Sequence, residues 1–283
     1  MIGPQQCTVI KLRRTMQKEE SNWLDLPRDV VFLIFVKLGV LEVLHYAQYV
    51  CSLWRQVAKD PFLYQSLDFM DVRKHMVFQN KFNYIFKKAV DKSCGQLVRL
   101  SCGDMVHENL LRYVNLSNKN SLRCLHLGPA LYLSERGLAA VMEGLPLLEE
   151  FELWFSYFPK LVVEQVGRCC VNLTTFRLCQ AHNETNFDDD ASVVSHNMPQ
   201  LRYLGWIGGK LTNKGLQTLV DGCPHLEHLH LRHSSGRKVR KSMWKRCLSK
   251  TISLVLPEES SFGRDSVSEI VDEARVRKKY MKW

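Results

Sequence analysis

The sequence predicts an α/β chain: a short run of N-terminal helices, then a solenoid of alternating strands and helices with a parallel sheet on its inner face. Three observations predict it. An L-x-x-L-x-L core recurs at Leu97 (LVRLSC), Leu122 (LRCLHL), Leu148 (LEEFEL), Leu173 (LTTFRL), Leu201 (LRYLGW) and Leu226 (LEHLHL). Consecutive anchors lie 25, 26, 25, 28 and 25 residues apart, room for one strand and one helix each. Residues 23–69, by contrast, are dense in apolar side chains at helical spacing, but such a segment is too short to cover its own apolar faces.

Composition bounds the rest. At 283 residues, with 46% hydrophobic and 24% charged residues, this is an ordinary globular composition with room for one large or two modest domains. The longest apolar run, residues 30–36, ends at Lys37 and is far too short to cross a bilayer, so no membrane partner is expected. Residues 1–21 lack a signal-peptide core and read as a flexible, weakly basic tail. Ten scattered cysteines without a CxxC pair suit reduced thiols, hence the cytoplasm or nucleus, better than a disulfide framework or zinc knot.

Taken in order, Pro27 suits the first turn of a helix whose apolar positions are Val31, Ile34, Phe35 and Leu38, and Gly39 offers its stop. A second stretch carries Leu41, Leu44, Ala47 and Val50. A third carries Cys51, Trp54, Val57 and Ala58, and Asp60-Pro61 closes it. This order resembles the F-box, the module by which substrate receptors dock on a Skp1-type adaptor of a cullin–RING ubiquitin ligase. The matching positions are Leu26-Pro27, Ile34, Leu38, Leu44, Val50-Cys51, Trp54 and Pro61, while Glu42-Val43-Leu44 and Tyr64 depart mildly from the pattern. The resemblance implies an adaptor-binding set of Leu26, Pro27, Ile34, Leu38, Leu44 and Val50, with Trp54 packed inside the module and a cullin reached through the adaptor. On this reading residues 22–69 form the F-box and residues 70–96 a helical cap with a helix near 80–91.

Residues 97–250 then hold the repeats, and 251–283 a terminal cap and basic tail. The period and core are those of leucine-rich repeats. Residues 133–146 and 211–224 are close copies with a polar start, an apolar face and a glycine before proline; 161–170 and 187–199 fill the same slot. Cys94, Cys170 and Cys223 each precede a strand anchor by three residues, a position that reads as core. This is similar to the cysteine-containing repeats that accompany F-boxes, and in particular to plant F-box/leucine-rich-repeat proteins of the Skp1-interacting-partner type.

Side chains alternate along a strand, so residues between the leucines should share the face opposite the helices. The aromatic and arginine positions on that face are the types that most often carry interface energy. The expected target-binding strip is therefore Glu150, Glu152, Trp154, Arg177, Tyr203, His228, His230 and Arg232. His225, His228, His230 and His233 invite a metal reading, but only two of them share a strand face and no acid or cysteine completes a set. Asp188, Asp189 and Asp190 open a helix, where carboxylates suit the positive end of its dipole. Eight cations between Arg232 and Lys250, without an acid, carry much of the net charge of +10. With few aromatics among them they make nucleic acid a weak expectation. No nucleophile, nucleotide or metal-hydrolase motif is present, so neither catalysis nor a cofactor is expected. The resemblance implies a receptor subunit that holds a target protein for an SCF-type ligase. The rival reading is a repeat scaffold that binds an adaptor without delivering a target.

Overall fold

The computed structural model describes residues 26–72, 81–118, 120–129, 131–155, 159–180, 187–208, 211–232, 240–250 and 252–255. The N-terminal tail, residues 251 and 256–283 of the C-terminal segment, and part of the 70–96 segment lie outside these.

Helix α1 (Arg28–Leu38) ends at Gly39, whose φ of 91° is a backbone that a side chain rarely adopts, and α2 (Val40–His45) leaves at a sharp bend. A 3₁₀ turn (Ala47–Tyr49), α3 (Ser52–Val57) and a second 3₁₀ turn (Pro61–Tyr64) complete the module. Its interior is a small cluster around Val31, Phe35, Val43, Ala47, Trp54, Val57 and Ala58. Phe35 meets Trp54 edge-on, with centroids 5.2 Å apart, so Trp54 packs inside the module. Asp60 accepts the Phe62 amide at 3.2 Å and ties the turn back to Arg28, also at 3.2 Å.

This module does not close on itself. Leu41, Leu44 and Tyr64 belong instead to the large core that runs the length of the solenoid. Tyr64 donates to the Ala58 carbonyl at 2.8 Å, and Lys92 donates to the same oxygen at 2.9 Å. The module therefore keeps a small cluster of its own and also sends Leu41, Leu44 and Tyr64 into the solenoid interior.

The sheet has eight parallel strands among the described residues, ordered β1 to β8 as in the chain. It starts one strand before the first leucine-rich fragment, with β1 (Ser66–Phe69), and continues through β2 (Arg99–Cys102), β3 (Cys124–Pro129) and β4 (Glu150–Phe155). Then come β5 (Thr175–Gln180), β6 (Tyr203–Ile207), β7 (His228–Arg232) and β8 (Ser253–Val255). Helix α4 (Phe82–Lys92) precedes β2. Helices α5 (Glu108–Asn118), α6 (Glu135–Met142), α7 (Lys160–Cys169), α8 (Asp188–Asn197), α9 (Asn213–Gly222) and α10 (Lys241–Ser249) follow β2 to β7 in turn. Each strand pairs only with its chain neighbours, which makes the solenoid close to one-dimensional.

One backbone device sets the phase at the entries of β2 to β7. A single carbonyl accepts two successive amides from the next repeat: Val98 from Arg123 and Cys124, Arg123 from Glu149 and Glu150, Glu149 from Thr174 and Thr175, and so on to Arg202. The helix face of the sheet is filled by the leucines and their substitutes. Phe151 and Phe176 are wholly buried there and stack at 5.8 Å.

The helices carry a second ladder that the sequence did not announce. A side chain in the first turn of one helix caps the N-terminus of the next. Glu108 accepts the Ser134 amide at 3.0 Å and its hydroxyl at 2.6 Å, and Glu135 accepts the Leu161 amide at 2.7 Å. Asp188 accepts the Thr212 amide, the Thr212 hydroxyl and the Gly215 amide at 2.9, 2.6 and 3.2 Å. Asp188 thus serves the following helix rather than only its own dipole. The glycines of the two near-copies make this possible, since a Cβ on Gly215 would sit 2.4 Å from the Asp188 carboxylate. Replacing Asp188 by Ala is expected to cost about 1–2 kcal/mol in a urea melt, the worth of a lost N-cap, whereas exposed Asp189→Ala should change little.

The cysteine expectation needs one correction. Cys170 and Cys223 are buried and point their thiols at the Leu145 and Met198 carbonyls of the preceding repeat, 3.4 and 3.7 Å away. Burial pushes these thiols up to about 12 and about 11. Cys94 is exposed, because the chain turns through a positive φ of 49° at that residue. Ser93, one residue earlier, takes the interior position and bonds Asn118, which also accepts the Leu97 amide.

Candidate docking surfaces

Helix α1 is apolar nearly all round, RDVVFLIFVKL, so it cannot bury every apolar side chain against one neighbour. Val31 and Phe35 face the module's interior. Val30, Leu33 and Val36 form a stripe on the opposite side, with Leu33 and Val36 60% and 58% exposed. Leu38, Tyr46, Tyr49 and Val50 add further exposed apolar surface.

Of the expected adaptor set, Pro27, Leu38 and Val50 are exposed. Leu26 and Ile34 are half-buried against the module's own core. Leu44, expected in the adaptor set, is only 3% exposed and packs into the solenoid interior. Leu33 and Val36, outside the expected set, are more exposed than any apolar member of it on α1. The signal for them was the unbroken apolar run 30–36, which contains two faces.

On the sheet, the helix-free face carries aligned rows. Glu150, Thr175, Tyr203 and His228 are in register across β4 to β7. Glu152, Arg177, Gly205 and His230 form the next row, and Trp154, Cys179, Ile207 and Arg232 the third. In β3 the register shifts between Leu127 and Pro129, so Trp154 lies against Pro129 rather than Gly128. All eight expected strip residues thus lie on three adjacent rows; the Arg232 side chain is outside the described residues.

The strip's charges are largely satisfied among themselves. The Glu150 carboxylate is approached by Arg177, by His126 Nε2 at 3.3 Å and by Arg99 at 3.5 Å. The close His126 imidazole and the hydrogen bond from Arg177 hold the Glu150 carboxyl far below the usual carboxylate range, against the opposing effect of burial. Arg177 also lies 3.9 Å from Glu152 and stacks over the Tyr203 ring at 4.8 Å. Its guanidinium pKa is raised despite burial, because Glu150 and Glu152 favour the charged form. Glu152 accepts the Trp154 indole N–H at 2.9 Å, and the Tyr203 hydroxyl lies 3.3 Å from His230 Nδ1.

Two members of the expected strip are therefore not open to a partner as drawn. Glu152 is 6% and Trp154 7% exposed; Trp154 packs with Cys179 and Ile207 in a small cluster on this face. Tyr203, His230 and Arg177 are partly open and His228 is exposed. Gly205 leaves a shallow recess between Arg177, Tyr203 and His230. At the C-terminal end, the basic stretch is partly committed to the fold. Arg246 pairs with Asp221, and Lys250 donates to the Val220 carbonyl at 2.7 Å.

The chain matches the F-box-like family over residues 23–70. In Arabidopsis thaliana it is 33% identical to F-box/LRR-repeat protein 23, over 86% of this chain and 55% of that protein. It is 33% identical to F-box protein SKIP19 over 86% of this chain and 79% of the relative, and 30% identical to F-box/LRR-repeat protein 21 over 86% and 84%. The chain thus spans about half the length of the first relative and about four fifths of the other two. A likeness that runs from the helical module through the strand–helix repeats leaves one assignment: the protein belongs to the F-box/leucine-rich-repeat family of plants.

Proposed function

We propose that this chain is a non-catalytic substrate receptor of an SCF-type ubiquitin ligase. The helical module holds a Skp1-type adaptor, a cullin is reached through that adaptor, and the helix-free face of the sheet holds a target protein. The observation that supports this best is the stripe of Val30, Leu33 and Val36, extended by Pro27, Leu38 and Val50. Apolar side chains this exposed on adjoining helices are costly to leave in water and mark a surface made for a partner. On the sheet the open residues are Tyr203, His228 and His230, backed by the Glu150–Arg177 network, which holds them in place. The gain from such a receptor is proximity, since tethering raises the local concentration of target lysines near the conjugating enzyme. The cytoplasm or nucleus is the compartment this role requires.

Affinity capture from plant extract tests it, comparing wild type with Leu33→Asp, Val36→Asp. Recovery of a Skp1-type adaptor with wild type and its loss with the variant, at unchanged helicity, is the expected result. Absence of any such adaptor from the wild-type capture overturns the proposal. Adaptor binding with no captured protein becoming ubiquitinated favours the scaffold reading instead.

A further inference from the structure

Beside the exposed apolar surface of Tyr46, Tyr49 and Val50 lies a basic seam that the adaptor reading leaves unused. On α4, Lys81, Tyr84, Lys88 and Lys92 fall at i, i+3, i+7 and i+11, so they share one face of the helix. That face adjoins α2 and the turn after α3, which bring His45 and Lys59 to it. Helix α4 packs against α2, and Lys92 donates to the carbonyl of Ala58, the neighbour of Lys59, at 2.9 Å; Lys81 and Lys88 accordingly add to burial in lowering the His45 pKa, as Lys88 and Lys59 do for Lys92.

The lysines of the seam are held in place without being neutralised. Lys88 sits over the Tyr84 ring at 5.6 Å, and Lys92 over Tyr64 at 5.3 Å. Among the described residues no carboxylate lies within ion-pair distance of Lys59, Lys81 or Lys88. Asp91, the one acid on α4, is engaged by the Tyr113 hydroxyl at 2.5 Å. Lys81 adds a further imbalance, for it stands at the N-terminus of α4, where the helix dipole already disfavours a cation. Like charges gathered on a folded surface repel one another, and an anionic partner removes that cost.

The seam is continuous with exposed apolar surface. His45 contacts Tyr46, which is 60% exposed, as are its near neighbours Tyr49 and Val50 at 61% and 57%. The seam's cations, Lys59, Lys81, Lys88 and Lys92, are lysines, which lack the planar fork that grips phosphates in pairs. We propose that the seam of Lys59, Lys81, Lys88 and Lys92 docks an acidic polypeptide segment of the same adaptor that covers the apolar stripe. This rests on the adaptor reading. It divides the interface into an apolar part that supplies affinity and a basic part that steers encounter.

The test uses the full chain and a purified Skp1-type adaptor, with binding measured across a range of salt. Lys81→Glu, Lys88→Glu leaves Lys92 and its bond to Ala58 intact, so the fold should melt as wild type does. This variant is expected to bind the adaptor about tenfold or more weakly at low salt, with a flatter salt dependence. Poly-L-glutamate should compete with the adaptor on wild type and not on the variant. Wild-type affinity and salt slope in the variant would overturn the seam while leaving the adaptor reading standing. Failure of wild type to bind the adaptor would remove both. If a duplex oligonucleotide binds wild type and poly-L-glutamate does not compete, the seam belongs to nucleic acid and the proposal falls.

Discussion

Phe176→Ala is expected to lower the unfolding free energy by about 3–5 kcal/mol, which for a solenoid of this size removes much of what holds it together. The side chain is wholly buried and stacks on Phe151 from the preceding strand, so truncation loses both transfer energy and the ring contact. It also stands in the middle strands, where no terminal repeat can fray to relieve the cavity. Urea unfolding followed by circular dichroism and by tryptophan fluorescence reads the effect. A loss below about 1.5 kcal/mol would mean that the helices collapse into the void more readily than close packing allows.

Glu150→Ala should cost about 2–3 kcal/mol, although the residue lies on the helix-free face rather than in the core. Its removal takes the carboxylate away from Arg99 and His126 and leaves Arg177 only the more distant Glu152, at 3.9 Å. Glu150→Gln keeps the shape and some of the bonds and should cost less. The pH dependence follows from the depressed carboxyl. A carboxylate bound more tightly to its partners when folded stabilises the protein above its ordinary range, near pH 4, and the contribution fades as pH falls through that range. The gap between wild type and Glu150→Gln should therefore narrow as the solution is acidified. A gap that stays constant from neutral pH to about pH 3 would show that the network holds Glu150 by shape and not by charge.

The repeats were legible because two periods coincide in the chain. Alternation within LRCLHL or LEHLHL marks a strand face, and the 25-residue step marks the strand–helix unit. Strand β1 escaped that logic. Ser66–Phe69 has only Leu67 and Phe69 to show for its buried face, and it follows directly on the helical module. The facing of α1 was hidden for a different reason. In seven consecutive apolar residues no period stands out, and the inward side is chosen by Trp54, far along the chain. Residue types on the helix-free face could be read in register, but not which of them stay open. That depends on Arg177 reaching across to the neighbouring strand and on Trp154 lying against Cys179 and Ile207. Cys94 shows how one left-handed residue shifts a pattern: the same spacing that buries Cys170 and Cys223 leaves it in water.

Leu41, Leu44 and Tyr64 insert into the solenoid core, and the Ala58 carbonyl is gripped from both sides by Tyr64 and Lys92. Mechanically this is a welded joint and not a hinge. Whatever the sheet grasps is then carried at a fixed bearing from whatever α1 grasps. On the proposed function, the lysines of a captured protein that come within range would be selected by where they sit in space, and loosening the joint with Tyr64→Ala should blur that selection without touching either gripping surface.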